Sequence, residues 1–119
     1  MGKGKHIKLA ELQPACLPGH VKTESYEIIN KNTVGANHIE FFLSEMYPGG
    51  EAEESVHPIS EHGYFMISGV GEATVEGEKF TIHPNECLYI PPGARHGIKP
   101  IGGPIRVIVF MAPPREESQ

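Results

Sequence analysis

The stretch that decides the fold is ECLYIPPGARHGIKPI, residues 86–101. Two short runs, ECLYI at 86–90 and HGIKPI at 96–101, flank the turn PPGA and carry β-branched or aromatic residues that favour strands. Consecutive prolines followed by a glycine interrupt any regular element. The stretch therefore predicts a strand, a tight turn and a second strand, with His96 where the second strand begins.

Similar short runs occupy most of the remaining chain. They lie at 21–30, 38–47, 63–68, 72–77, 79–83 and 105–111. The 14 glycines and 11 prolines leave no room after residue 20 for an uninterrupted amphipathic helix of ordinary length. The segment EATVEGEKFTI predicts a hairpin with Gly77 and Glu78 at its turn. This spacing of strands and turns predicts an all-β sandwich or barrel.

Size and charge exclude several classes of protein. With 119 residues the chain forms one domain, and its net charge of -5 comes with scattered lysines and arginines, so we expect neither nucleic acid nor an anionic membrane as partner. The N-terminus has no apolar leader core, and we expect a cytoplasmic protein. The two cysteines, Cys16 and Cys87, show neither CxxC spacing nor a disulfide framework.

HPISEH, residues 57–62, places two imidazoles five positions apart. That offset separates two side chains around a helix, and on a continuous strand it sends them to opposite faces. His57 and His62 therefore either have no joint role or are brought together by an irregular turn between them. With His96 they would then form three neutral imidazoles converging from strand ends, an arrangement that suits a metal ion.

These residues resemble the two motifs of the cupin superfamily. Positions of the first motif, Gly-x5-His-x-His-x3–4-Glu-x6-Gly, are held here by Gly49, Ser55, His57, His62 and Gly69. Positions of the second, Gly-x5-Pro-x-Gly-x2-His-x3-Asn, are held by Asn85, Pro91, Gly93, His96 and Pro100. The resemblance spans about residues 38–111 and identifies the chain as a small single-domain cupin. It implies a jelly-roll barrel, the double-stranded β-helix, over 21–112, with an N-terminal arm at 1–20 and a disordered tail at 113–119.

The resemblance also implies a metal site. His57, His62 and His96 are the implied ligands, with His62 in place of the usual glutamate, while Ser55 stands where a first histidine is usual and cannot supply a nitrogen. Glu61 is the substitute for His62 if the chain shifts by one residue. The implied cofactor is one divalent transition metal: Fe(II) is favoured, and zinc, nickel, manganese or copper also suit imidazoles. The alternative that the chain no longer binds metal, because Ser55 replaces the first histidine, also stays open.

The implied function is that of a mononuclear metal enzyme, dioxygenase-like, acting on a small polar or enolisable metabolite. An isomerase, cyclase or lyase fits as well. Tyr64 shares a strand face with His62 and is either a catalytic hydroxyl or a core tyrosine. The alternative is a non-catalytic cupin that binds or senses a sugar or metabolite without metal. By analogy with small cupins we expect a homodimer, with 21–30 as the segment to exchange.

Overall fold

The computed structural model describes residues 2–115, and these are mostly β-strand. The elements are a 3₁₀-helix at Leu9–Glu11, β1 at His20–Ile29, α1 at Lys31–Val34, β2 at Glu40–Ser55, β3 at Glu61–Val75, β4 at Glu78–Ile82, β5 at Cys87–Ile90 and β6 at His96–Ala112. The predicted all-β class is confirmed. The strand, turn and strand predicted at 86–101 correspond to β5, the PPG turn and the start of β6.

Two long strands replace four of the predicted short ones. The run at 63–68 and the first four residues of the run at 72–77 belong to β3, and the runs at 96–101 and 105–111 belong to β6. Gly69 and Gly102 adopt positive φ angles of 81° and 73°, a conformation that glycine takes without steric cost. The β3–β6 register shifts on both sides of Ser68. The strands therefore bend at bulges while their pairing continues.

The predicted hairpin is present, with its turn one residue earlier than expected. Val75 of β3 pairs with Glu78 of β4, so Glu76 and Gly77 form the two-residue connection. Both have positive φ angles, 48° and 80°, as a type I′ turn requires. Glu76 accepts this strained conformation because the twist of the turn matches that of its flanking strands.

The antiparallel sheet has the order β1-β2-β6-β3-β4, and β5 pairs with β3. Its strands share one apolar cluster, formed by Phe42, Met46, Tyr64, Met66, Ala73, Ile82, Ile90, Ala94, Ile98, Ile105, Val107, Val109 and Met111. Because residues from β2, β4 and β5 meet in this cluster, the sheet must roll around it. The rolled sheet leaves the starts of β3 and β6 near each other at one end of the core.

Residues before β1 and after β6 also contact the barrel. Ala15 forms an isolated bridge with Ser25, and Leu17 packs against the core. The Ser60 hydroxyl donates a hydrogen bond to the Pro113 carbonyl at 2.6 Å. The proposed arm at 1–20 therefore has contacts along its second half, and residues 116–119 of the proposed tail lie outside the described residues. Among residues 2–115, none of the helices has the length and apolar character that crossing a bilayer requires.

Candidate metal centre

An irregular turn brings His57 and His62 together. Residues 56–60 join β2 to β3 without regular structure, and His62 is the second residue of β3. The backbone N–H of Gly93 donates to the His57 carbonyl at 2.9 Å, which ties this turn to the PPG turn before β6. The two imidazole centroids lie 4.6 Å apart. The turn predicted from the five-residue offset is therefore present.

His96 joins them from the first position of β6, where it pairs with Ser55 of β2. Its ring centroid lies 5.3 Å from that of His57 and 4.7 Å from that of His62. All three side chains are buried. One potential ligand atom from each lies within 4.8 Å of the other two. We call these three residues the histidine trio.

Hydrogen bonding determines which nitrogen of His96 faces the trio. Its Nδ1 lies 2.9 Å from the Ala94 carbonyl and must be the donor, which leaves a lone pair on Nε2. That Nε2 lies 3.0 Å from Nδ1 of His62, whose Nε2 in turn lies 3.3 Å from the Met111 sulfur. If His62 carries its proton on Nε2 and donates it to the Met111 sulfur, the lone pairs of His62 Nδ1 and His96 Nε2 face each other. A cation shared between the two nitrogens would satisfy both.

His57 has a nitrogen without a partner. Its Nε2 lies 3.5 Å from the Ser55 hydroxyl, at the outer limit of a hydrogen bond, while its buried Nδ1 makes no hydrogen bond with any described residue. Leaving a buried polar atom unpaired is costly. The trio therefore fits a metal ion by its donor type and by its unsatisfied nitrogen. Ser55 supplies no ligand there, but it contacts His57.

The trio is neutral near pH 7. Burial, with smaller contributions from His96 and Arg115, lowers the pKa of His57 to about 4. Burial likewise lowers the pKa of His62 to about 3, helped by the neighbouring His96, His57 and Arg115. The pKa of His96 is also lowered by burial, although its hydrogen bond to Ala94 opposes this. Neutral imidazole is the form that binds metals.

The trio lines a cavity of about 230 Å³. Its inner wall is mostly apolar and is formed by Phe42, Met46, Tyr64, Ile98, Val109 and Met111. Pockets for drug-sized ligands range from about 300 to 1,000 Å³, so this cavity suits a smaller molecule. The cavity therefore combines three neutral imidazoles that can bind a metal with an apolar wall that favours the apolar part of a ligand.

Comparison with known proteins identifies the family. The family described as Cupin domain matches residues 42–111, more than half of the chain. The chain belongs to the cupin family. The cupin resemblance found in the sequence is therefore confirmed.

Two curated relatives take part in polyketide synthesis, according to their names. This cupin is 33% identical over 82 residues to polyketide synthase CurC of Streptomyces cyaneus, covering 69% of this chain and 53% of the relative. It is 31% identical over 93 residues to tetracenomycin polyketide synthase protein TcmJ of Streptomyces glaucescens, covering 76% of this chain and 62% of that one. The cupin thus spans between half and two thirds of the length of these relatives.

A solved structure supports the architecture. The cupin superimposes on polyketide cyclase RemF from Streptomyces resistomycificus with a TM-score of 0.82 at 22% identity, over 95% of this chain and 82% of that one. At this identity the likeness concerns the fold alone. The predicted jelly-roll barrel is confirmed.

Glu61, the predicted substitute for His62, does not join the trio. It is exposed, and its carboxylate accepts a hydrogen bond from the Tyr89 hydroxyl at 2.6 Å. Adjacent residues of a strand point to opposite faces, so the inward position of His62 sends Glu61 outward. Tyr64 does line the cavity, with its ring centroid 6.3 Å from that of His96, and burial raises the pKa of its hydroxyl.

Sequence reasoning missed part of the cavity lining. Residues 18–20, Glu53, Glu54 and Arg115 also border it. His20 was one of several histidines outside any motif, and Arg115 fell in the segment predicted to be disordered. Residues 18, 19, 53 and 54 are exposed, so this side of the cavity faces the surface of the cupin.

Proposed function

We propose that this cupin is an enzyme that holds one divalent transition metal on His57, His62 and His96 and acts on a small enolisable carbonyl compound. The observation that carries the proposal is the convergence of three buried, neutral imidazoles whose nitrogens are not all satisfied within the chain. Three neutral ligands leave the double charge of the ion uncompensated. Such a site favours an anionic substrate that binds through oxygen.

The bound metal would act as a Lewis acid toward an enolate or carboxylate oxygen of the substrate. Imidazole ligands suit iron, zinc, copper and nickel, and Fe(II) remains the proposed ion if the reaction uses oxygen. The chain itself fixes the His96 tautomer through the Ala94 carbonyl. It thereby presents Nε2 of His96 to the cavity without a proton.

Tyr64 is the proposed catalytic residue of the chain itself. Its raised pKa keeps the hydroxyl protonated, and its ring lines the cavity beside His96. The hydroxyl can therefore donate a hydrogen bond to a substrate oxygen in the cavity and hold the proton that this oxygen needs as negative charge develops. The apolar wall around Tyr64 excludes water and strengthens that interaction.

The names of the relatives refine the reaction. Two contribute to polyketide synthesis and a structural neighbour is a polyketide cyclase, so we propose ring closure of an enolisable carbonyl compound as the reaction to test first. The dioxygenase reaction expected from the sequence is the second candidate. Both reactions start from an enol or enolate, so the proposed substrate chemistry is the same. A metal-free cupin that only binds a sugar or metabolite is the alternative function.

Metal analysis tests the proposal. Protein purified through a tag without histidines, and never exposed to chelator, should contain about one equivalent of a transition metal per chain. His57→Ala and His96→Ala should each reduce the metal to background. His83→Ala is the matched control, because His83 is exposed on a turn and should leave the metal content unchanged. Wild-type protein that contains no metal and takes up neither Fe(II) nor zinc would favour the binding function instead.

Activity assays then separate the reactions. A panel of 1,3-diketones and phenolic acids, followed by mass spectrometry and by an oxygen electrode, distinguishes ring closure from oxygen uptake. Tyr64→Phe should lower kcat by about 10²- to 10³-fold, the usual effect of removing one hydrogen-bond donor from a developing oxyanion, without changing metal content. Unchanged kcat in this variant would assign Tyr64 to the core.

The proposed homodimer rests on the edge of β1 that faces away from β2. Among the described strands β1 pairs only with β2, and Ala15 covers the other edge at Ser25 alone. This strand contains most of the segment predicted to exchange. An exposed strand edge is commonly covered by a second subunit. Sedimentation should give twice the 13.0 kDa chain mass, and a species of 13.0 kDa alone would reject the dimer. The cytoplasmic location stays a prediction.

A further inference from the structure

Two polar side chains that the proposed metal centre does not use, His20 and Arg115, line the same cavity. His20 is the first residue of β1, and its Nδ1 is buried without a hydrogen-bond partner among residues 2–115. Burial, together with the nearby Arg115 charge, lowers its pKa and keeps it neutral. A neutral imidazole with an unsatisfied nitrogen can donate a hydrogen bond to a ligand in the cavity.

Arg115 is a half-buried cation that forms no ion pair with any other residue of the described range 2–115. Three ion pairs join residues within 2–115, and Arg115 takes part in none of them. Glu53 and Glu54 also border the cavity, but neither lies within ion-pair distance of the guanidinium. The Glu54 carboxylate instead accepts a hydrogen bond from Thr74 at 3.1 Å, and Glu53 is exposed. A guanidinium beside an apolar cavity attracts an anion and can donate parallel hydrogen bonds to it.

The segment that carries Arg115 is attached to the turn of the metal centre. Ser60, which is 2% exposed and lies between His57 and His62, donates its hydroxyl proton to the Pro113 carbonyl at 2.6 Å. This contact holds the chain two residues before Arg115 against the turn. The chain segment that leads to Arg115 is therefore held by the same turn that brings the trio together.

We propose that Arg115 and His20 form an anion subsite that binds the carboxylate of the substrate. The substrate is then a small carboxylic acid with an apolar, enolisable or phenolic body, and the apolar wall holds that body between the subsite and the trio. A cavity of about 230 Å³ limits the body to about one ring with short substituents. A planar carboxylate fits because the guanidinium can donate two parallel hydrogen bonds to it. The placement of the body rests on the proposed function, whereas the anion subsite does not need the metal.

Ligand titration of chelator-treated protein, followed by NMR of the backbone amides, tests the subsite. Benzoate is the probe, and benzamide is its neutral match in size and shape. Wild-type protein should bind benzoate at least tenfold more tightly than benzamide. Arg115→Gln should weaken benzoate binding about 10- to 100-fold, the usual effect of losing a hydrogen-bonded charge, and His20→Ala should weaken it less.

Two further variants sharpen the test. Arg115→Lys keeps the charge but loses the planar pair of donors, so its affinity should fall between those of wild type and Arg115→Gln. Arg106→Gln is the matched control and should leave benzoate binding unchanged, because Arg106 lies 3.6 Å from Glu45 on the surface. Circular dichroism of each variant verifies that the barrel has folded.

Several outcomes would overturn the subsite. Equal binding of benzoate and benzamide, or benzoate binding that is indifferent to Arg115→Gln, rejects it. If inorganic phosphate binds through Arg115 and benzoate does not bind, the ligand of the subsite is a phosphate and not a carboxylate. Because metal is absent throughout, failure of the metal proposal does not affect these measurements. Benzoate binding by a protein that takes up no metal would support the subsite and reject the enzyme.

Discussion

Two buried polar clusters in this cupin differ in how their hydrogen bonds are satisfied. Ser25 of β1 and Ser44 of β2 are directly opposite in the sheet, and their hydroxyls lie 2.8 Å apart with no exposed surface. The histidine trio is also buried, and His62 and His96 lie within hydrogen-bond distance at 3.0 Å, yet Nδ1 of His57 has no partner among residues 2–115. The serine pair can be complete within the chain, whereas the trio needs something from outside.

The origin of the two clusters explains the difference. The serines are neighbours in a regular ladder, where the register alone brings them together. The trio comes from an irregular turn and from the starts of two strands. Such positions are harder to hold, and a protein keeps polar groups in them mainly for function. Each of the following experiments tests whether the serine pair is complete within the chain or whether the trio needs a ligand.

The largest expected effect is stabilisation by metal. Zinc at a free concentration 1,000 times its Kd should raise the free energy of unfolding by about 4 kcal/mol, because it binds only the folded trio. Urea unfolding with and without zinc measures this change. His57→Ala should abolish it, whereas Ser25→Ala should keep it in full. A zinc effect that survives in His57→Ala would place the ion elsewhere.

Acid should destabilise the metal-free protein by about 3 kcal/mol between about pH 7 and pH 5.3. His57 and His62 have pKa values of about 4 and 3 when folded, against 6.5 for an exposed histidine. The unfolded chain therefore binds more protons once the pH falls below about 6.5, and stability declines from there until the folded pKa values are reached. Urea unfolding at several pH values measures the decline.

Matched variants assign the acid effect. His62→Met should remove about half of the decline, and His83→Ala should leave it unchanged because that side chain is exposed. The serine pair does not titrate, so Ser25→Ala should lower stability equally at about pH 7 and pH 5.3. A pH profile that is identical in wild type and His62→Met would show that the trio is not buried as neutral imidazoles.

Ser25→Ala should cost about 2 kcal/mol, because the Ser44 hydroxyl is then buried without a partner. Replacing both serines by alanine should cost less than the sum of the two single changes, since no unsatisfied hydroxyl remains. Chemical unfolding of the four proteins in this cycle measures the coupling. Additive effects would mean that the hydroxyls find other partners and that the pair is not self-contained.

The fold was predictable because its signals are local. β-Branched runs between glycines and prolines predicted the class, but glycines such as Gly69 were interpreted as strand ends when they lie within long, bent strands. Whether a glycine ends a strand or bends it depends on whether the partner strand continues opposite it. That information lies in the tertiary pairing, here between β3 and β6, and not in the segment itself.

The site was predictable where motifs and strand geometry applied. The five-residue offset left two alternatives, no joint role or an irregular turn that joins His57 and His62, and the structure has the turn. The alternation that buries His62 also excludes Glu61. His20 and Arg115, by contrast, come from opposite ends of the chain, and no local pattern marks residues that meet only because the ends fold over one cavity.

The smallest expected effect tests whether the trio stabilises anything without metal. His62→Met should leave the metal-free protein within about 1 kcal/mol of wild type at pH 7, because a flexible apolar side chain can pack against Met111 without burying a polar group. The same change should abolish metal binding. Thermal unfolding of chelator-treated proteins, followed by metal titration, measures both. If His62→Met lowers the free energy of unfolding by several kcal/mol, the hydrogen bonds of the trio stabilise the fold without any ion. The trio would then resemble the serine pair.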